Sequence, residues 1–197
     1  MSNRTSVIER STTETRVRVS IDLDGSGTTD ISTGVGFFDH MLEQLGRHSG
    51  CDIEVKAQGD LHIDSHHTVE DVGIVLGAAL VEALGDKAGI RRYGWSLVPM
   101  EEALAQVALD LSGRPFLAFD VEIPAETIGN YDPDLTQEFF TALTRSAGIT
   151  LHVKLLAGTN SHHIVEAVFK GVAQALSAAV ALDPRRADSV PSTKGSL

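Results

Sequence analysis

Cysteine is almost absent from this chain, which has Cys51 alone among its 197 residues. A single cysteine excludes an internal disulfide and is typical of a protein from a reducing compartment. It also excludes a thiolate cluster, so any metal site in the chain depends on nitrogen and oxygen ligands.

Basic residues are also scarce, with 16 lysines and arginines against 27 aspartates and glutamates, for a formal net charge of −11. This excess of negative charge disfavours nucleic acids and anionic membranes as partners, because their phosphate-rich surfaces are repelled. A local basic site for a small phosphorylated ligand is still compatible with the composition.

Long apolar runs are missing too. The longest one, residues 72–84, is interrupted by Glu82 and is too short to span a bilayer. Residues 1–5 contain no apolar segment of the kind that secretory signals carry. We therefore expect a cytoplasmic protein without a membrane anchor.

What the chain does contain is a repeated motif. Ser-His-His-x-Val-Glu occurs at 65–70 and again at 161–166, each time before an Ala/Val/Leu-rich stretch. On a helix, the first histidine and the glutamate share a face and can bind one ion. The second histidine points about a quarter-turn away, which suits a second ion. The repeat thus supplies six candidate metal ligands: His66, His67, Glu70, His162, His163 and Glu166.

The order of predicted elements repeats as well. Strand, helix, strand and His-His helix follow one another in each half, which predicts an internally duplicated α+β domain, each half a small β-sheet packed on two helices. The pseudo-repeats cover about 10–90 and 100–185 of a single domain, 1–197, which ends in a C-terminal tail. Period-two alternation predicts strands at 15–23, 51–57, 104–111, 116–123 and 148–155. Helical spacing predicts helices at 37–47 and 134–146. Two further helices are predicted to begin at the histidine motifs, the first ending at about 85 and the second at about 182.

The duplication adds two further ligands. Aligning residues 50–53 with 148–151, an offset of 98, places His40 opposite Glu138. Each half then offers four candidate donors. Eight ligands for two ions is four each, which leaves positions open for a substrate, and the spacing does not say which histidines share an ion. Asp71 is a rival to Glu70, but its counterpart is Ala167, so symmetry favours Glu70. His152 is a weaker candidate, because it lies mid-strand and is equally explained as a core histidine.

Seven motifs follow one another over nearly the whole chain: Phe-Phe-Asp-His-Met-Leu at 37–42, Asp-Ser-His-His-Thr-Val-Glu-Asp at 64–71, Arg-Arg-Tyr-Gly at 91–94, Pro-Met at 99–100, Ser-Gly-Arg-Pro at 112–115, the segment 161–170, and Pro-Ser-Thr-Lys-Gly at 191–195. In these motifs the chain resembles the imidazoleglycerol-phosphate dehydratase family of histidine biosynthesis. The resemblance implies a lyase with two Mn²⁺ per subunit, a homo-oligomer of 24 subunits and sites built between subunits. One departure is Glu138, where the family usually carries histidine.

The resemblance also implies residue roles. Glu14 matches the family's acid/base carboxylate and is also implied to bind substrate, although from the sequence alone it is an exposed glutamate at a strand start. Six further residues match substrate-binding positions, mostly around the phosphate, for which arginine forks and lysine or hydroxyl donors are suited. Without the family, Arg91, Arg92 and Lys170 are explained as solvated surface charges, and residues 192–194 as part of a frayed tail. These six are Arg92, Arg114, Lys170, Ser192, Thr193 and Lys194.

The implied reaction converts D-erythro-imidazole-glycerol phosphate to imidazole-acetol phosphate. The departing C–H proton has no neighbouring carbonyl, so the ring must first become an imidazolate that expels the adjacent hydroxyl. Two metal ions can stabilise the two nitrogens of such a ring. Two alternatives remain: a binuclear metallohydrolase, for which no bridging carboxylate is evident, and a non-catalytic metal-binding protein, which leaves Arg92, Arg114 and Lys194 without a role.

Overall fold

The computed structural model describes residues 4–186, 189–195 and 197. Residues 1–3, which belong to the segment predicted to lack a secretory signal, lie outside this part of the chain. The first half contains β1 (Thr5–Ser11), β2 (Thr15–Asp22), β3 (Thr29–Ser32), α1 (Gly36–Ser49), β4 (Asp52–Gly59) and α2 (His66–Leu84). The second half contains β5 (Tyr93–Met100), β6 (Ala103–Asp110), β7 (Phe116–Asp120), α3 (Asp134–Ala147), β8 (Thr150–Ala157) and α4 (Ser161–Val180), followed by a 3₁₀ turn, Pro184–Arg186.

Both halves have the same topology. The strands are ordered β1-β2-β4-β3 in one sheet and β5-β6-β8-β7 in the other. In each sheet the first three strands are antiparallel and the last pair is parallel. The parallel pairs are joined through α1 and α3, because parallel strands need a crossover connection. The predicted duplicated α+β fold is confirmed.

Three of the observed strands were not predicted from the sequence. β1, β3 and β5 all lie at sheet edges, where only part of one face is buried and the alternation is weak. In β5, Trp95 and Leu97 are exposed and Pro99 interrupts the pattern. β3 has only four residues. The remaining predicted strands and helices are present, with ends shifted by up to three residues.

The helices of the two halves pack against each other. α1 contacts α4 and α2 contacts α3, while α2 covers the first sheet and α4 the second. One continuous buried cluster runs from Val17 to Val180. Two glycines of α2 permit the close approach of α3, since a Cβ at Gly73 would lie 2.8 Å from the Phe139 carbonyl oxygen and one at Gly77 2.8 Å from that of Leu143.

α4 is long and apolar enough to cross a membrane by length and composition, with a mean hydropathy of 1.2 over its most apolar window. In the fold, however, 72% of that window is buried. Its apolar residues pack on β5, β6 and α1, which accounts for the hydropathy of the helix.

Candidate metal and substrate sites

Both histidine motifs begin helices, as predicted. His66 is the first residue of α2 and Ser161 the first of α4. The side chain of Asn160 caps α4 by accepting hydrogen bonds from the backbone N–H groups of His162 and His163, at 3.0 and 3.4 Å. Asp64 accepts one from the backbone of His66 at 2.7 Å. These hydrogen bonds satisfy free N–H groups in the first turns of both helices, although only Asn160 stands at the N-cap position.

One set of predicted ligands is assembled within the chain. Ligand atoms of His40, His162 and Glu166 lie within 4.8 Å of one another. Nε2 of His162 is 3.1 Å from Oε2 of Glu166, and Nε2 of His40 is 3.8 Å from the same oxygen. His40 comes from α1 in the first half and the other two from α4 in the second, so this cluster combines donors of both halves. The reason is that α1 packs on α4.

Glu166 has the charge state that a metal ligand needs. Its side chain is only 8% exposed, and Nζ of Lys170 lies 2.6 Å from Oε1. Burial on its own raises the pKa of Glu166, but Lys170 together with His40 and His162 holds that pKa below its ordinary value. The buried carboxylate is therefore ionised at neutral pH.

The second histidine of each motif is oriented by a carboxylate. Nδ1 of His67 is 3.0 Å from Oδ2 of Asp60, and Nδ1 of His163 is 2.7 Å from Oε2 of Glu102. These hydrogen bonds are the main reason that the pKa of each imidazole is raised. The pKa of Glu102 is in turn lowered to about 2, chiefly by His163. When Nδ1–H donates to a carboxylate, Nε2 is left free to bind a metal.

Asp60 and Glu102 belong to neither histidine motif and were not predicted from the sequence. A carboxylate partner is expected for a ligating histidine, but Glu102 is 61 positions from His163, so only the fold could show which one it is. Glu101, Glu102 and His163 also bring ligand atoms within 4.8 Å, although both glutamates are exposed.

The remaining predicted ligands are not brought together in the same way. Among the residues that the structure describes, His66, Glu70 and Glu138 form no three-donor cluster. His66 is exposed, and the other two are half-buried. Glu138 lies on α3, which packs on α2, so its placement mirrors that of His40 on α1.

Asp71 and His152, the weaker ligand candidates, lie outside the clusters of ligand atoms. Asp71 is buried and faces Arg10 and Thr15. His152 is exposed on β8, beside the ring of Phe116 at 5.5 Å, so it is not a core histidine. His152 and Asp71 belong to no three-donor cluster of the described residues.

Five of the six predicted substrate-binding residues line one surface cavity of about 750 Å³: Arg92, Arg114, Ser192, Thr193 and Lys194. Arg92 holds the tail at this cavity. Its Nη1 donates to the Pro191 carbonyl at 2.8 Å, while Nε and Nη2 donate to Asp110 at 2.7 and 3.1 Å. The sixth residue, Lys170, lies apart from the cavity and is bound to Glu166.

Glu14 lies in the turn between β1 and β2 and is exposed. Its Oε2 is 3.9 Å from Nδ1 of His67. The Thr12 hydroxyl accepts the backbone N–H groups of Glu14 and Thr15 at 3.1 and 3.0 Å, which closes the turn. The predicted acid/base carboxylate therefore faces one of the two histidine motifs.

Fold and site together define a duplicated α+β enzyme with a histidine- and carboxylate-rich centre and a separate cationic cavity. A model of the imidazoleglycerol-phosphate dehydratase family matches residues 33–176. Imidazoleglycerol-phosphate dehydratases from Ruegeria sp. (strain TM1040) and Dinoroseobacter shibae are 60% and 61% identical, over 98% of this chain and 100% of each relative. The crystal structure of the enzyme from Staphylococcus aureus has a TM-score of 0.83 and 40% identity, over 91% of this chain and 99% of that one.

The chain belongs to the imidazoleglycerol-phosphate dehydratase family. It is a hydro-lyase of histidine biosynthesis. This leaves the metallohydrolase and the non-catalytic metal-binding protein without support.

Proposed function

We propose that the chain dehydrates D-erythro-imidazole-glycerol phosphate with the help of two Mn²⁺ ions per subunit, at sites that neighbouring subunits complete. The observation that carries the proposal is the cluster of His40, His162 and Glu166, whose ligand atoms lie within 4.8 Å of one another. Two imidazole nitrogens and an ionised carboxylate are a donor set that suits Mn²⁺.

The eight predicted ligands fall into two groups. His40, His162 and Glu166 would supply three donors to one ion, and a neighbouring subunit would complete its coordination. The other donors are His66, His67, Glu70, Glu138 and His163, which would hold the second ion with donors of a neighbouring subunit. When bound, the ions would supply Lewis acidity toward the two ring nitrogens of the substrate.

Glu14 is the residue that we assign to proton transfer. Loss of the ring N–H proton lets the ring electrons expel the hydroxyl on the adjacent carbon, which takes up a proton and leaves as water. The next C–H bond then becomes acidic, and its proton returns to the ring nitrogen, so that the net change is the loss of one water. Glu14 is exposed and lies 3.9 Å from His67, so its carboxylate is accessible to a substrate bound at that motif. A positioned acid/base group contributes roughly 10²–10⁴-fold to a rate.

The cationic cavity is assigned to the phosphate. Arg114 and Lys194 are both exposed and both line the cavity, so each can donate hydrogen bonds to phosphate oxygens. Arg92 already bonds Asp110 and Pro191 and would act mainly by fixing the tail. Lys170 does not line this cavity and pairs with Glu166 at 2.6 Å, so its substrate-binding role stays a prediction from the family resemblance.

A homo-oligomer of 24 subunits follows from the family resemblance, and the surface of the second sheet supports association. Trp95 and Leu97, two residues apart on the same face of the edge strand β5, are 76% and 59% exposed. Large apolar side chains that cluster on a surface mark interaction sites.

Metal analysis with a turnover assay tests the proposal. Purified protein should contain two Mn²⁺ per chain, lose turnover of imidazoleglycerol phosphate after chelation, and regain it when Mn²⁺ is added. Full turnover by metal-free protein would overturn the metal assignment while leaving the dehydratase activity itself intact.

A further inference from the structure

A buried carboxylate next to the predicted ligands belongs to no three-donor cluster of the residues that the structure describes. Asp71 follows Glu70 on α2, and its side chain is only 8% exposed. Its Oδ2 lies 2.7 Å from Nη1 of Arg10 in an ion pair that lacks hydrogen-bond geometry, and it accepts a hydrogen bond from the hydroxyl of Thr15. Breaking such a buried, paired contact is costly, because the charge that remains cannot be solvated.

Both partners of Asp71 flank the turn that carries Glu14. Arg10 is near the end of β1, and Thr15 is the first residue of β2. The turn is closed by its own hydrogen bonds, since the Thr12 N–H donates to the Thr15 carbonyl at 2.8 Å. Asp71 therefore holds the turn at both ends, and Glu14 immediately precedes one of the anchored residues.

The same helix carries the histidine that Glu14 faces. His67 is one helical turn before Asp71, and its Nδ1 is 3.9 Å from Oε2 of Glu14. The side chain of Glu14 is 53% exposed, so its location depends on where the backbone of the turn is held. A helix that presents His67 and also anchors the turn fixes the distance between the two groups.

We propose that Asp71 is a positioning residue for Glu14: through Thr15 and Arg10 it locks the β1–β2 turn to α2. The proposal rests on the acid/base role assigned to Glu14. A displacement of about 1 Å at a reacting group can cost on the order of 10²-fold in rate, so the effect should be seen in kcat.

The test is a double-mutant cycle on the whole enzyme with Mn²⁺ present. Asp71→Asn keeps the size of the side chain but removes its charge, and Thr15→Val removes the hydroxyl. Each should lower kcat by roughly 10- to 100-fold and change KM by less than about twofold. In a Glu14→Gln background, Asp71→Asn should lower kcat little further, because effects that act through one group are not additive.

Ser6→Ala is the matched control. The hydroxyl of Ser6 donates to the Ala79 carbonyl at 2.8 Å, which is another buried contact between β1 and α2. Its loss should lower the melting temperature and leave kcat unchanged. Bound Mn²⁺, counted by electron paramagnetic resonance, should be the same in Asp71→Asn as in the parent enzyme.

Two results would overturn the inference. One is an equal loss of kcat from Asp71→Asn with and without Glu14→Gln, which would give Asp71 a purely structural role. The other is a loss of bound Mn²⁺ in Asp71→Asn, which would place its effect at the metal. Undiminished kcat in Glu14→Gln alone would instead refute the proposed role of Glu14. If Asp71→Asn does not fold, Thr15→Val carries the same cycle.

Discussion

His40 and Glu166 belong to different halves of the chain, yet Nε2 of His40 lies 3.8 Å from Oε2 of Glu166. α1 and α4 form the contact that brings them together. An ion bound here would tie the two halves to each other, so metal binding and stability should be linked.

The first prediction concerns the link between Mn²⁺ binding and stability. Mn²⁺ at 100 times its dissociation constant should stabilise the protein by about 2.7 kcal/mol per independent site. Glu166→Gln should reduce this gain, because a neutral amide is a poorer ligand than a carboxylate. Melting temperatures with and without Mn²⁺ measure the effect, and Glu82→Gln, an exposed glutamate on α2, is the control. An unchanged Mn²⁺-dependent shift in Glu166→Gln would contradict the assignment.

The second prediction concerns the carboxylates that orient His67 and His163. Asp60→Asn and Glu102→Gln should each weaken Mn²⁺ binding by roughly 10- to 100-fold, as loss of such partners does elsewhere. Isothermal titration with Mn²⁺ measures this directly. Asp120→Asn, which loses only an exposed pair with Lys154, should bind Mn²⁺ normally. Parent-like affinity in both variants would mean that the histidines need no orienting partner.

The third prediction separates chemistry from binding. Glu14→Gln should lower kcat by roughly 10²–10⁴-fold, because proton transfer belongs to the transition state. Arg114→Ala should mainly raise KM, by roughly 10- to 100-fold, because phosphate is held in the ground state as well. Arg145→Ala, an exposed arginine on α3, serves as the control. If Glu14→Gln raised KM alone, Glu14 would be a binding residue.

The fourth prediction is that assembly depends on metal. Sites completed by neighbouring subunits make each ion a bridge between chains, so complete chelation should shrink the particle in light scattering. Adding Mn²⁺ back should restore its size. A large particle that survives complete removal of metal would show that apolar contacts suffice for assembly.

The fifth prediction concerns the substrate ring. Methylation of one ring nitrogen blocks formation of the imidazolate, so the N-methyl substrate should not turn over even where it binds through its phosphate. A triazole that bears a phosphonate keeps ring nitrogens and an anionic group, and should inhibit strongly. Turnover of the N-methyl analogue at the normal rate would refute the ring-based mechanism.

The sequence by itself determined the local elements and the ligand types. The spacing of His162 and Glu166 put both on one face of α4, and their side chains meet at 3.1 Å. The repeated motif and the period-two strands also predicted the duplication. Both signals are local, since they depend only on helical or strand periodicity.

The tertiary structure decided which residues meet. His40 joins α4 rather than its own half because α1 and α4 pack together, and helix pairing over long separations leaves no periodic trace in the sequence. Glu102, which orients His163, is 61 residues from it in the sequence. Thr15, which donates to Asp71, is 56 residues from that aspartate. The edge strands β1 and β5 were missed for a related reason: burial of an edge depends on what the rest of the chain places beside it.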